Sequence, residues 1–209
     1  MTFRVKAFLI LFACMTAFLP RVAFAAGFGD FPQPTAEYSA ERVITGSGGV
    51  MKTMMYSAMG KERMESKEGG SEMIQIVRMD KKLMWMLLPS EKMYTEMKLS
   101  DTDAPSWGQG NASKGQDCDV KQAEKGQEDV DGFKSRKLEV TISCPNDNST
   151  VMVWLTKENI PIRVEVTNSK AKMAEVQIEL KNLKIGKQPP ALFEIPSDYK
   201  LMQMPAVPH

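Results

Sequence analysis

Residues 71–99 read SEMIQIVRMDKKLMWMLLPSEKMYTEMKL and hold three short apolar runs, 72–79, 83–88 and 92–99. Within the first run, Met73, Gln75 and Val77 alternate with Ile74 and Ile76. A period of two places alternate side chains on opposite faces and is typical of a β-strand. The turns between the runs are only three residues long, Asp80-Lys81-Lys82 and Pro89-Ser90-Glu91. Strands joined by such tight turns predict an antiparallel meander.

The run LMWMLL at 83–88 is apolar at every position, so neither face of that strand can be called polar. A strand of this kind is expected to be covered on both faces. The sequence therefore predicts that a layer packs on each side of the sheet at this point.

Similar runs occupy both halves of the chain, and they favour a β architecture over a βαβ fold. The run 173–185 fits either an amphipathic helix or a strand with a bulge, and 120–125 is a weak strand before a glycine turn at 126–132. Residues 100–117 are polar and aperiodic, which indicates a loop. We predict one mainly β domain over 35–200, a curved antiparallel meander of about nine to eleven strands with few helices. The other runs are 36–44, 50–59, 62–67, 133–144, 150–156 and 162–167.

The N-terminus has the composition of a secretory signal peptide over residues 1–25. Arg4 and Lys6 precede an apolar run, and Ala23-Phe24-Ala25 supplies the small-residue cleavage pattern, with Ala26 as the new N-terminus. An alternative is lipid anchoring at Cys14. We expect a periplasmic or secreted protein without a transmembrane segment, with a flexible lead-in at 26–34 and a disordered tail at 201–209.

Charge and histidine content exclude several classes of protein. Lys plus Arg total 27 and Asp plus Glu total 26, so the basic excess of a nucleic-acid-binding protein is missing. The single histidine is His209, the last residue, which argues against Ser-His-Asp catalysis and histidine metal sites. No phosphate-binding glycine motif is present. We expect no enzyme activity, no cofactor and no metal site.

Two cysteines, Cys118 and Cys144, follow the proposed cleavage point. An even number of cysteines in an exported chain predicts a disulfide. Two free thiols or a metal pair are the alternatives, but neither cysteine has a histidine or another cysteine near it in sequence.

Methionine is the most unusual feature of the composition, with 17 residues. Because methionine is flexible and polarizable, it suits a lining that accepts apolar chains of varied shape. It can also fill a core, or bind Cu(I) through its thioether sulfur. Trp85 and Trp154 lie in apolar runs, where a core position and a ligand platform are both open.

The runs at 78–94, 60–65, 126–133, 153–155 with 160–162, and 192–199 together resemble an uncharacterised family of exported bacterial proteins, a domain of unknown function. That family is similar to the LolA/LolB lipoprotein-carrier superfamily. The resemblance covers about residues 36–200 and implies an open antiparallel half-barrel with an apolar concave face. In carriers of this kind the concave face holds acyl chains.

Together these observations predict a non-enzymatic envelope protein that binds a lipid or lipoprotein acyl chain on one face of its sheet. The alternative is a structural module, or one that binds an envelope protein partner, with its own side chains filling that face. Cu(I) binding by methionine is a weaker third hypothesis. The predicted ligand-lining residues are Met55, Met73, Met84, Met86 and Trp154. Since side chains alternate, Trp85 should lie on the opposite face from Met84 and Met86.

Overall fold

The computed structural model describes residues 32–99, 119–144, 147–168 and 176–202. These residues form a single twelve-stranded sheet with two short 3-10 turns, Met79–Lys81 and Pro190–Phe193. The strands are β1 (Tyr38–Gly46), β2 (Gly49–Ala58), β3 (Lys61–Glu68), β4 (Ser71–Arg78), β5 (Leu83–Leu88), β6 (Met93–Lys98), β7 (Asp119–Val130), β8 (Phe133–Cys144), β9 (Asp147–Leu155), β10 (Pro161–Asn168), β11 (Val176–Ile185) and β12 (Lys200–Leu201).

The sheet consists of two antiparallel meanders, β1 to β6 and β7 to β11. Its strand order is β12-β6-β5-β4-β3-β2-β1-β11-β10-β9-β8-β7, so the meanders meet where β1 pairs with β11. The order is open, with β12 and β7 at the two ends. The predicted β class, single sheet and open half-barrel are therefore confirmed.

The turn chemistry explains how the chain reverses so tightly. Between β3 and β4, Glu68 pairs with Ser71, which leaves a loop of two residues. Gly69 and Gly70 have φ angles of 57° and 84°. Positive φ at both central residues defines the hairpin turns whose twist matches the strands, and glycine reaches that conformation at low cost.

Cross-strand register places most methionines of the first meander on one face. Met55 pairs with Met64, Met64 with Gln75, and Gln75 with Met86. Residues directly opposite each other share a face, and alternate residues of one strand do too. This surface of β2 to β6, which we call the methionine face, carries Met51, Met55, Met64, Met73, Met84, Met86, Met93 and Met97.

The main aliphatic core lies on the same side of the sheet in the second meander. Met51 pairs with Ile44, Ile44 with Ile178, and Ile178 with Val164. Val164 is opposite Val153, which continues the row onto β9. The buried members of this cluster are Leu138, Val140, Ile142, Val151, Val153, Leu155, Val164 and Ile178.

The opposite face of the first meander is covered by the C-terminal segment, residues 190–202. Phe193 is 1% exposed and packs with Ile74, Ile76, Trp85 and Leu87. The segment ends in β12, which pairs parallel with β6. Ordered pairing therefore extends to Leu201, one residue past the domain boundary that the sequence predicted.

Two arginines of the sheet hold this segment through its backbone. Arg63 Nη1 donates to the Leu192 carbonyl at 3.0 Å, and Arg78 Nη1 donates to the Phe193 carbonyl at 3.1 Å. The Arg78 guanidinium also pairs with Asp80 at 2.7 Å and with the carboxylate of Glu194. Because the two guanidinium groups satisfy the carbonyls of Leu192 and Phe193, they fix the position of the Phe193 side chain over the sheet.

Strand β7 differs from the weak strand and separate glycine turn that we expected. It runs unbroken from Asp119 to Val130, with a bulge at the register shift between Glu124 and Gln127. Gly126 lies within the bulge at φ 97°. Among the described residues β7 is an edge strand that pairs only with β8, and charged residues on an edge oppose pairing with other chains. Its apolar alternation is weak for that reason.

The run 173–185 resolves into strand β11 over its described part, which excludes the amphipathic helix there. The predicted loop at 100–117 lies outside the described residues. So do residues 1–31, with Cys14, Ala25 and Ala26. Cys118 and the side chain of Cys144 are likewise not described, and the disulfide stays a prediction.

A candidate ligand-binding face

The methionine face is apolar but only partly covered. Met55 is fully buried, whereas Met84 and Met86 are half-buried. The two at the margins are more open, with Met51 exposed by 39% and Met97 by 45%. Flexible thioether side chains thus form an accessible apolar surface across neighbouring strands.

Strand β5 shows the asymmetry of the two faces most clearly. Trp85 and Leu87 lie on the face under the C-terminal segment and are buried. Met84 and Met86 point to the other face, where they remain half-buried. The methionine face of this strand is thus covered in part, and a layer that packs over it stays a prediction. Of the two apolar faces of β5, the one that carries Trp85 and Leu87 is the more fully covered.

Polar side chains interrupt the methionine face beside β1. Tyr38, Ser57 and Glu62 are directly opposite one another on β1, β2 and β3. Tyr38 is 2% and Ser57 is 7% exposed, and a hydrogen bond links their hydroxyls. Arg42 lies on the same face of β1, and its Nη1 donates to the Met64 sulfur at 3.4 Å. We call Tyr38, Arg42, Ser57 and Glu62 the polar cluster.

Desolvation shapes the electrostatics of this cluster. Burial raises the pKa of Glu62 to about 7, although the nearby Arg42 guanidinium acts in the opposite direction. Burial likewise lowers the pKa of Arg42, against the attraction of Glu62. Burial and the Glu62 carboxylate raise the pKa of Tyr38. In such a partly buried cluster, charge interactions are stronger than at an open surface.

The structure brings four of the five predicted lining residues onto one face. Met55, Met73, Met84 and Met86 all lie on the methionine face, and Trp85 points away from it as expected. Whether these residues line a ligand site stays a prediction.

Trp154 lies on the other face of the sheet, although it belongs to the same buried cluster as Met55. Its register partner is Arg163, which pairs in turn with Glu179, next to the buried Ile178. Alternation therefore places Trp154 on the opposite face from Met55. Its indole lies 4.8 Å from the Lys137 ammonium and donates to Glu128 at 2.8 Å. We accordingly leave Trp154 out of the proposed lining.

The polar cluster was missed by sequence reasoning, although a signal for it exists. Arg42 falls in the alternation Ala40-x-Arg42-x-Ile44, and Glu62 precedes Met64 by two residues. A charged residue in the apolar register of a strand is an exception to binary patterning. Such exceptions occur where a protein has a functional or packing reason for them.

Within the ranges that the structure describes, no three His, Cys, Asp or Glu side chains could together hold a metal ion. Two of the methionine sulfurs already accept N–H groups, Met64 from Arg42 and Met84 from Gln75 at 2.9 Å. Copper binding by the thioethers stays a prediction. The described residues also include no helix that is long and apolar enough to span a membrane.

The protein is an open, mainly antiparallel β-sheet protein, with its C-terminal segment packed on one face of the first meander. Its family follows from the sequence. Residues 43–161 match the family described as a domain of unknown function, DUF4412, so the chain belongs to that family. The predicted membership of a family of unknown function is thereby confirmed. No curated protein matches the chain.

Solved structures share the fold at low sequence identity. An uncharacterized conserved protein from Thermus thermophilus is 14% identical with a TM-score of 0.53, covering 90% of this chain and 98% of that one. In the MucA/MucB complex of Pseudomonas aeruginosa the values are 13% and 0.48, with 90% and 63% covered. A LolA superfamily protein from Nitrosomonas europaea is 12% identical with a TM-score of 0.37, covering 82% and 96%. The likeness of fold rests on the first of these structures.

Proposed function

We propose that this chain is a non-enzymatic protein of the bacterial cell envelope that holds the alkyl chain of a lipid, or the acyl chain of a lipoprotein, against its methionine face. The observation that carries the proposal is the asymmetry of β5. Its Trp85 and Leu87 side is buried under the C-terminal segment, while Met84 and Met86 are half-buried. An apolar strand with one partly open face offers a surface for an apolar ligand.

Methionine side chains suit such a ligand for a physical reason. Three rotatable bonds and a polarizable sulfur let each side chain adjust to a chain whose bends differ from one lipid to the next. Removing an alkyl chain from water contributes about 0.8 kcal/mol for each buried CH₂ group. Affinity should therefore rise with chain length until the face is filled.

The envelope location belongs to the same proposal and has its own test. Protein is purified from the envelope fraction of bacteria that express all 209 residues, and its intact mass is measured. We expect the mass of residues 26–209 less two hydrogens, as cleavage after Ala25 and a Cys118–Cys144 disulfide require. The mass of the whole chain, or two thiols that react with alkylating reagent, would contradict it.

Replacing Met84 and Met86 together by glutamine should weaken binding of a fluorescent fatty-acid probe about tenfold or more. Glutamine is similar in length but polar, so the loss of apolar contact corresponds to at least about 1.4 kcal/mol. Fluorescence titration measures the dissociation constant, and a thermal melt confirms that the variant folds.

The matched control replaces Met54 and Met152 by glutamine. Both are half-buried methionines on the opposite face, where Met54 pairs with Glu65 and Met152 with Glu165. Their probe affinity should stay within about twofold of the original protein. Equal losses in the two double variants would contradict the assigned face. Absence of probe binding by the unaltered protein would favour the structural or protein-interaction module instead.

A further inference from the structure

The polar cluster gives the methionine face a charged end. Arg42 and Glu62 are the charged members, and they come from different strands, β1 and β3. Both are half-buried. Arg42 lies between Leu180 and Thr53, and Glu62 lies between Ser57 and Val77. The neighbours of Glu62 on β3, Lys61 and Arg63, alternate to the opposite face, where Arg63 pairs with Glu65. Arg42 is thus the cation that faces Glu62.

The Arg42 side chain reaches from its own strand across β2. Its Nη1 contacts the sulfur of Met64 on β3, and Met55, which lies between them, is fully buried. The guanidinium therefore rests on the apolar row of Ala40, Met55 and Met64. A guanidinium carries five N–H donors and can serve several partners at once. It also binds planar and tetrahedral anions with high geometric specificity.

Distances along the sheet suit a ligand with a polar head and an apolar tail. Met64 on β3, where the guanidinium ends, is two strand spacings, about 10 Å, from Met84 and Met86 on β5. That span is shorter than a lipid acyl chain. A head at Arg42 would therefore place the tail across the half-buried methionines of the face.

We propose that Arg42 binds the anionic head of an amphiphile whose alkyl chain lies on the methionine face, and that Glu62 accepts a proton from solvent when the anion binds. This inference rests on the proposed function and adds to it the chemical class of the ligand. The proton comes from hydronium or a buffer acid in the solvent: its bond to that acid breaks as the O–H bond on the Glu62 carboxylate forms, and no other bond changes. Before binding, the Glu62 carboxylate compensates the positive charge of Arg42. After binding, the anionic head of the ligand compensates it instead.

The groups around Glu62 support proton uptake. On β2 and β1 it faces Ser57, Tyr38 and Arg42, and on β4 its partner is Val77. Arg42 supplies the positive charge there, and an approaching anion adds a second negative charge next to Glu62. The pKa of Glu62 is already raised to about 7 by burial, so a small further rise protonates it near neutral pH.

The test compares three ligands that share a ten-carbon chain and differ in the head: decanesulfonate, decanol and decyltrimethylammonium. The sulfonate keeps its charge at all pH values used, so a pH effect on its binding must come from the protein. Calorimetric titration at about pH 6 should show the sulfonate binding about tenfold or more tightly than decanol, and the ammonium binding most weakly. At about pH 8.5 the preference for the sulfonate over decanol should shrink severalfold.

Two variants separate the roles of the charged residues. Arg42→Gln should abolish the preference for sulfonate while decanol still binds, and Glu62→Gln should keep the full preference at about pH 8.5. Control titrations use Arg63→Gln, which removes a guanidinium from the opposite face of β3. If Arg42→Gln does not fold, the head preference of the unaltered protein and its pH dependence decide the matter.

Equal affinity for sulfonate and decanol, or a preference that survives Arg42→Gln, would overturn the assignment of Arg42. A preference unchanged between about pH 6 and 8.5 would overturn the role of Glu62. In either case binding of decanol would leave the proposed function standing. If none of the three ligands binds, the proposed function fails and this inference fails with it.

Discussion

Phe193→Ala is expected to lower the free energy of unfolding by about 3–5 kcal/mol, the range measured for removal of a buried phenylalanine. The side chain is 1% exposed and packs with Ile74, Ile76, Trp85 and Leu87. Its removal leaves a cavity over β4 and β5. Arg63 and Arg78 hold the carbonyls of Leu192 and Phe193, so the backbone stays anchored next to the cavity and its collapse is restricted.

Chemical denaturation of the variant and of a Leu201→Ala control measures this effect. Leu201 belongs to the same C-terminal segment but is 53% exposed, so its truncation should change stability by no more than about 0.5 kcal/mol. Similar stability in the two variants would show that the segment is not part of the cooperatively folded structure. Another part of the chain would then have to bury Trp85.

Glu62→Gln is expected to stabilise the protein above pH 7 by about 1–3 kcal/mol and to have little effect near pH 4. The pKa of Glu62 is raised from 4.5 to about 7 in the folded protein, so the folded state binds more protons than the unfolded state between these values. Stability associated with this proton is fully present below about pH 4.5 and is lost as pH rises through 7. Each pKa unit corresponds to about 1.4 kcal/mol, and glutamine avoids the cost because it carries no charge.

Glu65→Gln is the matched control for this pH dependence. Glu65 lies on the same strand but on the opposite face, where it accepts from Arg63 Nε at 2.6 Å. Its replacement removes an ion pair and should bring no gain in stability above pH 7. Denaturation curves at several pH values compare the two. A Glu62→Gln variant whose stability follows that of the original protein from pH 5 to 9 would contradict the desolvated state of Glu62.

Much of this fold could be predicted because the alternation of apolar residues and the tight turns are both local features of the sequence. The period of two over 72–79 and the tight turns at 80–82 and 89–91 specify neighbouring strands, and neighbouring strands specify which residues share a face. That is why Met73, Met84 and Met86 were grouped correctly with Met55. The same rule placed Trp85 opposite them.

Other features depend on contacts between distant parts of the chain. Trp154 lies in an apolar run, but its face follows from the pairing of β9 with β10 and of β10 with β11, which local sequence does not determine. The cover over Trp85 comes from Phe193, more than a hundred residues away. Arg42 and Glu62 meet through the register of β1, β2 and β3. The local sequence marks each as a charged residue in an apolar register, but it does not show that the two residues meet.

NMR of protein with ¹³C-labelled methionine methyl groups tests most directly whether an alkyl chain binds on the methionine face. Each methyl group gives a separate probe of its surroundings, and the described residues place methionines on both faces of the sheet. On addition of decanesulfonate, we predict the largest shifts at Met64, Met73, Met84 and Met86, with small shifts at Met54 and Met152. Shifts of equal size on the two faces, or shifts confined to Met54 and Met152, would contradict the account.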